Sequence, residues 1–239
     1  MSKYYYNKNY FKEITTEKQA YWLGFLYADG CITRFYRNEK LKSMSLELVL
    51  QSEDKEHLEN FKKDLETNIP IIHKVISNKY HADKIVLNCT SLCRDLINLG
   101  CTPQKSLILE FPTEEIVPNH LLNHFIRGYF DGDGGVSYTE GKYYNSQRNK
   151  SYTQHHYRCY FCGNEMFLKQ LRGILLSEGI CVSELKQDNR SNAVNIYIYG
   201  NENIDKFKKY LYEDSHRNLS RKYDKFFFIE TNPELHINR

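Results

Sequence analysis

Two nine-residue strings, Trp22-Leu23-Gly24-Phe25-Leu26-Tyr27-Ala28-Asp29-Gly30 and Ile126-Arg127-Gly128-Tyr129-Phe130-Asp131-Gly132-Asp133-Gly134, align without a gap, 104 residues apart. Each carries an aspartate at its eighth position, Asp29 and Asp133. A helical pattern precedes each string, so the two acids fall at helix C-termini. That is an unfavourable place for a carboxylate, because the helix dipole is negative there and two adjacent carboxylates also repel each other. Such a local conflict marks a functional position. A hard divalent cation reverses the sign of the electrostatics, and Mg²⁺ takes one or two protein carboxylates together with water and phosphate oxygens. Paired acids, a metal ion and basic strands point to phosphodiester hydrolysis.

The elements that must deliver these acids are legible from caps and periodicity. Thr16 with Gln19 forms a capping box before the first string, and Pro118-Asn119 precedes the second helical run. Small residues recur four apart, Gly24 with Ala28 and Gly128 with Gly132, which lets two helix backbones approach closely. Motif helix packed on motif helix places Asp29 and Asp133 side by side. Further on, Leu58, Phe61 and Leu65 form a helical stripe that Leu168, Leu171 and Leu175 repeat. The chain therefore reads as two similar halves, 1–117 and 118–239, each ordered helix, two strands, helix, two strands, helix. The strand segments are MSLELVLQ, IIHKVIS and KIVLNC in the first half, and HHYRCYFC, ICVSELK and AVNIYIY in the second. A short linker, FPTEEIVP, joins the halves.

Composition agrees with a globular protein: 239 residues with 33 Lys+Arg against 30 Asp+Glu rule out a disordered chain, and the 20 Tyr stand out. The small net charge hides a sorted distribution. Residues 53–66, a helical stretch, carry three lysines against six acids, whereas residues 67–94, read as strands, carry Lys74, Lys79, Lys84 and Arg94 against Asp83 alone. Basic strands beside acidic helices suggest a sheet that faces a polyanion. The seven scattered cysteines read as packed thiols of a reduced compartment rather than as disulfides. No apolar run reaches membrane-spanning length and the N-terminus shows no signal-peptide pattern, so a soluble cytoplasmic or organellar-matrix protein is expected.

WLGFLYADG and IRGYFDGDG resemble the two copies of the motif that names the LAGLIDADG homing endonucleases, and the repeat covers essentially the whole chain. The first copy has Tyr27 where the second has Asp131, at a sixth position that bears on packing rather than on metal binding. The resemblance implies an α+β fold: a monomer of two αββαββα halves, with saddle-shaped antiparallel sheets lying along the DNA major groove and the motif helices at the central interface. It implies that Asp29 and Asp133 bind Mg²⁺, or Mn²⁺ or Ca²⁺ in its place, with the backbone of Ala28 and Gly132 as further donors. Each strand of double-stranded DNA is then cut by metal-assisted hydrolysis, leaving 3′ overhangs. The family also places a basic residue near each site. Lys105 in Gly100-Cys101-Thr102-Pro103-Gln104-Lys105-Ser106 and Lys222 in Leu219-Ser220-Arg221-Lys222-Tyr223 match, with Arg221 a rival for Lys222. A polar residue at the end of the second strand completes many sites of the family. Gln51 sits there, and its counterpart by strand parity is Cys162.

Parity also sorts core from outward face. Met44, Leu46, Leu48 and Leu50 read as core, as do Tyr157, Cys159 and Phe161, and Val194, Ile196 and Ile198. Arg34, Arg37, Lys79, Lys84, Asn88, Arg158, Lys186 and Asn195 are the candidate DNA contacts, since such side chains read base edges or hold phosphates. Residues 138–154, with Lys142, Arg148 and Lys150, read as a long polar loop reaching along DNA. Its first-half counterpart is much shorter, so an asymmetric, nonpalindromic target of about two helical turns is expected.

Other constellations are weaker. Cys159-x-x-Cys162 lacks the second ligand pair of a zinc site, and His120, His124 and His216 have no triad context. Neither a membrane nor a small-molecule substrate is expected. A different class of function, a cleavage-inactive nucleic-acid-binding protein such as an intron maturase or a regulator, would use the same scaffold. Retention of both acids favours the enzyme, since binding alone does not need them. The absence of splicing segments around the repeat favours an intron-encoded or freestanding enzyme over an intein.

Overall fold

The structure, a computed structural model, describes residues 4–77, 80–105, 108–188 and 192–231, the side chains of Gln154, His155 and residues 227–231 excepted. Its elements run α1 (Glu17–Asp29), β1 (Gly30–Arg37), β2 (Lys40–Gln51), α2 (Lys55–Asp64), β3 (Ile72–Ser77), β4 (Tyr80–Leu87) and α3 (Thr90–Asn98). The order then repeats with α4 (Leu122–Asp133), β5 (Gly134–Asn145), β6 (Lys150–Gly163), α5 (Glu165–Ser177), β7 (Lys186–Gln187), β8 (Val194–Tyr199) and α6 (Asn201–Tyr212), and α7 (Ser220–Thr231) is added at the end. The fold is α+β with two four-stranded antiparallel sheets, ordered β1-β2-β4-β3 and β5-β6-β8-β7. Compactness groups the chain differently from the sequence repeat. One unit holds the chain to Asp133 together with Asp214–Leu219, and the other holds Gly134–Glu213 and the chain from Ser220 on.

In the first unit, α1 starts at the Thr16 cap, whose hydroxyl accepts from the Gln19 backbone N–H while the Gln19 side chain reaches back to the cap. Every residue from Ala20 to Tyr27 is buried, the mark of a helix surrounded on all sides. Helix α4 is buried from His124 to Asp131 and lies against α1. Their approach is as close as two backbones allow: a Cβ added to Gly128 would sit 1.9 Å from the Tyr21 carbonyl oxygen, and one added to Gly24 would sit 2.0 Å from that of Phe125. The β1–β2 hairpin turns through Asn38 and Glu39, both with positive φ, as tight hairpin turns need. Behind the sheet, Met44, Leu46, Leu48, Leu50, Ile85 and Leu87 meet Leu58, Phe61, Leu92 and Leu96 in a shared core. Asp83 belongs to that inner face, where it is buried and accepts from His73 at 3.0 Å, so the one acid of the basic strands does not reach the outward surface.

The second unit has the same alternation: Tyr157, Cys159, Phe161, Val194, Ile196 and Ile198 are buried on one face of the sheet, against Phe167, Leu168, Leu171 and Phe207. Three expectations change here. Residues 138–154 are not a loop but the outer half of a long hairpin, in register from Gly134 opposite Phe161 to Asn145 opposite Lys150, and both arms carry the strand-favouring residues Tyr and Thr: Tyr138, Thr139, Tyr143 and Tyr144 on one, Tyr152 and Thr153 on the other. Of ICVSELK only the last residue, Lys186, is in a strand, the two-residue β7 it forms with Gln187. Upstream, the Ser183 hydroxyl accepts the Tyr197 backbone N–H at 3.1 Å and so takes a donor that a regular ladder would use. Finally, in the first unit, Arg94, counted with the basic strands, lies on α3.

Candidate functional site

The helix pair carries the two acids to the same end. A Cβ on Gly132 would lie 2.2 Å from the Cβ of Ala28 and 3.4 Å from Oδ2 of Asp29, so the last turn of α4, which ends at Asp133, touches the last turn of α1. Asp29 is exposed and Asp133 half-buried. Neither helix has a basic residue in its last turn, so both carboxylates add to the negative end of a dipole. The donor set suits a hard cation: two carboxylates and nearby backbone carbonyls supply only oxygen. No group of three or more acidic, His or Cys side chains arranged to hold a metal ion exists among the described residues, so water and substrate oxygens would complete the shell, the usual preference of Mg²⁺.

Each acid is followed by a glycine whose carbonyl accepts from a buried lysine. Lys105 Nζ donates to Gly30, and Lys222 Nζ donates to Gly134 at 2.6 Å. Both lysines are nearly covered, at 8% and 5% exposure, although Lys is among the residues least often buried. Both lysines are the ones expected from the family resemblance, and each satisfies the carbonyl just past an acid-bearing helix, a contact that nothing in the sequence shows.

The divergent sixth motif position has a matching structural role that the sequence does not reveal. Tyr27 donates its hydroxyl to the Leu99 carbonyl, and Gly100, with φ +93°, leaves room for that ring. Asp131, 1% exposed, accepts from the Leu219 backbone N–H at 2.7 Å and from the Tyr21 hydroxyl at 2.8 Å. Each contact fixes the segment that leads to a lysine, Lys105 in one case and Lys222 in the other. Also unforeseen is Arg127, at the second motif position and fully buried. It pairs with Glu17 at 2.5 Å, donates to the Arg217 carbonyl at 2.8 Å and donates to His124 Nδ1 at 2.7 Å. The His124 ring is thereby an acceptor at Nδ1. Burial, and secondarily the Arg127 charge, pushes its pKa down to about 4.

Gln51 is exposed at the end of β2. Its counterpart is Asn164 rather than Cys162. Parity fixes a face but not a position along the strand, and the ladder supplies the position: Gly30 lies opposite Leu48 and Gly134 opposite Phe161. Counting three residues on from each reaches Gln51 and Asn164, and the latter caps α5 by accepting from the Phe167 N–H at 2.9 Å. Cys162 instead matches Val49.

On the outward faces the ladder places Lys84, ion-paired to Glu47 at 3.2 Å, in the first sheet, and Arg158, Lys186 and Asn195 in the second. Asn88 is exposed just past β4, and Arg37 lies at the hairpin tip opposite Lys40. Arg34 and Lys142 differ from expectation. Arg34 sits opposite Met44 and shares the parity of buried Ile32, and Lys142 shares that of buried Val136, so both belong to the other face of their sheets. Arg148 lies in the turn between β5 and β6. Lys79 lies outside the described residues.

This arrangement, two acid-tipped helices in contact with an antiparallel sheet following each, defines a class of two-repeat α+β proteins. Residues 121–212 match the family model described as LAGLIDADG-like domain. A sequence search of curated proteins finds no match. Among solved structures, meganuclease I-SmaMI bound to uncleaveable DNA is similar at 12% identity and TM-score 0.61, covering 90% of this chain and 93% of that one. The LAGLIDADG homing endonuclease I-LtrWI bound to target DNA gives 12% and 0.61, with 96% and 93% covered. The LAGLIDADG meganuclease I-AabMI bound to uncleaved DNA gives 10% and 0.56, with 92% and 94% covered. The chain thus carries a LAGLIDADG-like domain and has the fold of the LAGLIDADG meganucleases.

Proposed function

We propose that the protein is a site-specific double-strand DNA endonuclease of the homing type, acting as a monomer on a long nonpalindromic target with Mg²⁺. The observation that carries this reading is the duplicated constellation of acid, glycine carbonyl and buried lysine at the paired helix ends. Asp29 and Asp133 would hold the divalent ions, which supply Lewis acidity at the scissile phosphate. Lys105 and Lys222 hold ammonium charges beside the acid-bearing ends, where they favour the extra negative charge of a pentavalent phosphate. Gln51 and Asn164 would order water near each site. The DNA-bound state of I-SmaMI, I-LtrWI and I-AabMI, and an I-SmaMI complex solved with calcium ions, support duplex DNA and a divalent cation as partners. Cleavage leaving 3′ overhangs and an intron-encoded origin follow from the family resemblance.

Duplexes selected from a randomised pool, then incubated with Mg²⁺ and either wild type or the Asp29→Asn, Asp133→Asn double variant, test the reading. Wild type should cut both strands, while the variant binds without cutting. Tight binding by wild type with no cutting would instead support a maturase or regulator. Equal cutting by the variant would remove both acids from the metal site.

A further inference from the structure

One guanidinium on the outward face of the second sheet is held in place before any ligand arrives. Arg158 lies on β6, an interior strand flanked by β5 and β8. Its Nε donates to the Ser137 hydroxyl at 2.9 Å, directly across the ladder, and its Cζ stands 5.1 Å from the centre of the Tyr197 ring. Lys186 Nζ stands 5.5 Å from the same ring. Arg158 forms no ion pair with any described residue, and its single hydrogen bond uses Nε. Both terminal amino groups are therefore without a protein partner among the described residues. Arg158 lines a cleft of about 610 Å³ with Tyr160, Asn195 and Asp188.

We infer that Arg158 reads one guanine of the target through the pair of N–H donors on its outer edge. This deepens the nuclease reading above and rests on it. A planar fork pinned at Nε and stacked on an aromatic ring has lost most of its freedom already, so little further ordering is needed when it meets the O6 and N7 acceptors of guanine. A phosphate is the poorer match. Arg158 sits mid-sheet rather than at an edge, and an anion in the cleft would face Asp188, whereas a guanine edge offers neutral acceptors. By the ladder, the position matching Arg158 in the first sheet is Ser45, so the guanine belongs to one half-site only.

Binding selection from a duplex pool randomised over about two helical turns, with Ca²⁺ present, tests this for wild type, Arg158→Lys, Arg158→Gln and Ser137→Ala. Thermal melts first establish that each variant is folded. Wild type should enrich guanine at one position. Arg158→Lys, which keeps the charge and loses the fork, should cut that preference about tenfold to a hundredfold, in line with one bidentate contact. Arg158→Gln should move the preference to adenine, and Ser137→Ala should relax it partly. Unchanged selection by Arg158→Lys overturns the inference. So does a uniform loss of affinity across all sequences with a weaker salt dependence, the sign of a phosphate contact. Those outcomes leave the nuclease reading standing, whereas wild type that selects no sequence at all overturns both.

Discussion

Gly128→Ala places one methyl group where two helix backbones meet. The new Cβ would stand 1.9 Å from the Tyr21 carbonyl oxygen, 2.8 Å from the Phe25 nitrogen and 2.9 Å from the Tyr21 carbonyl carbon. Nonbonded heavy atoms rest at about 3.5 Å, so the oxygen contact is short by roughly 1.6 Å. All three neighbours are backbone, and no rotamer change relieves the clash. The helices must part, loosening the packing of Phe25, Phe125 and Tyr129, each buried there. Overpacking of this kind costs about 1–3 kcal/mol, and a rigid neighbour puts the cost at the upper end. At about 2–4 °C per kcal/mol for a chain of this size, Tm should fall by roughly 5–10 °C. Gly173→Ala in α5 is the matched control, since a Cβ there meets nothing within 4 Å. Removing a glycine from an open helical position should stabilise by about 0.5–1 kcal/mol. Circular-dichroism melts of both variants measure the two signs together. A Gly128→Ala variant that melts within a degree of wild type would refute the close helix approach.

Further outcomes follow from the same contacts. Asp131→Ala strands the Tyr21 hydroxyl and the Leu219 N–H in the interior and should cost about 1–3 kcal/mol, read from urea midpoints. His124 should make stability pH-dependent. Its folded pKa of about 4 lies below the ordinary value, so the unfolded chain binds more protons between the two. Stability is then full above pH ~6.5 and declines as pH falls towards 4. Urea midpoints that decline equally in wild type and His124→Gln over that range would contradict this. Lys222→Met and Lys105→Met should each slow single-turnover DNA cleavage about a hundredfold while DNA affinity holds. Cleavage at wild-type rates would reduce the lysines to helix-end caps.

Much of the fold is legible in the sequence because its signals are local. The Thr16 capping box, the small residues at Gly24, Ala28, Gly128 and Gly132, and the alternation in β2, β6 and β8 each specify their own element without help from distant residues. What escapes depends on register or on partners far along the chain. Strand parity cannot separate Cys162 from Asn164, two residues apart at the end of β6, and only the ladder does so. Hydrophilic composition made residues 138–154 look like a loop, although a hairpin arm that extends past its supporting helices has no need of apolar residues. The ties from Tyr27 to Leu99 and from Asp131 to Leu219 join residues 72 and 88 positions apart, and no pattern at motif scale carries that information. Buried Arg127 is likewise unreadable as a core residue until Glu17 and the Arg217 carbonyl are seen around it.

In the function proposed above, Asp29 and Asp133, brought together by the helix pair, hold the divalent ions of a DNA-cleaving site. Anomalous scattering from crystals of the protein with a selected DNA duplex and Mn²⁺ tests it most directly. Mn²⁺ peaks are expected within about 2.0–2.2 Å of carboxylate oxygens of both aspartates, each also ligated by a phosphate oxygen. Peaks only elsewhere, with both carboxylates bound to protein groups, would contradict it.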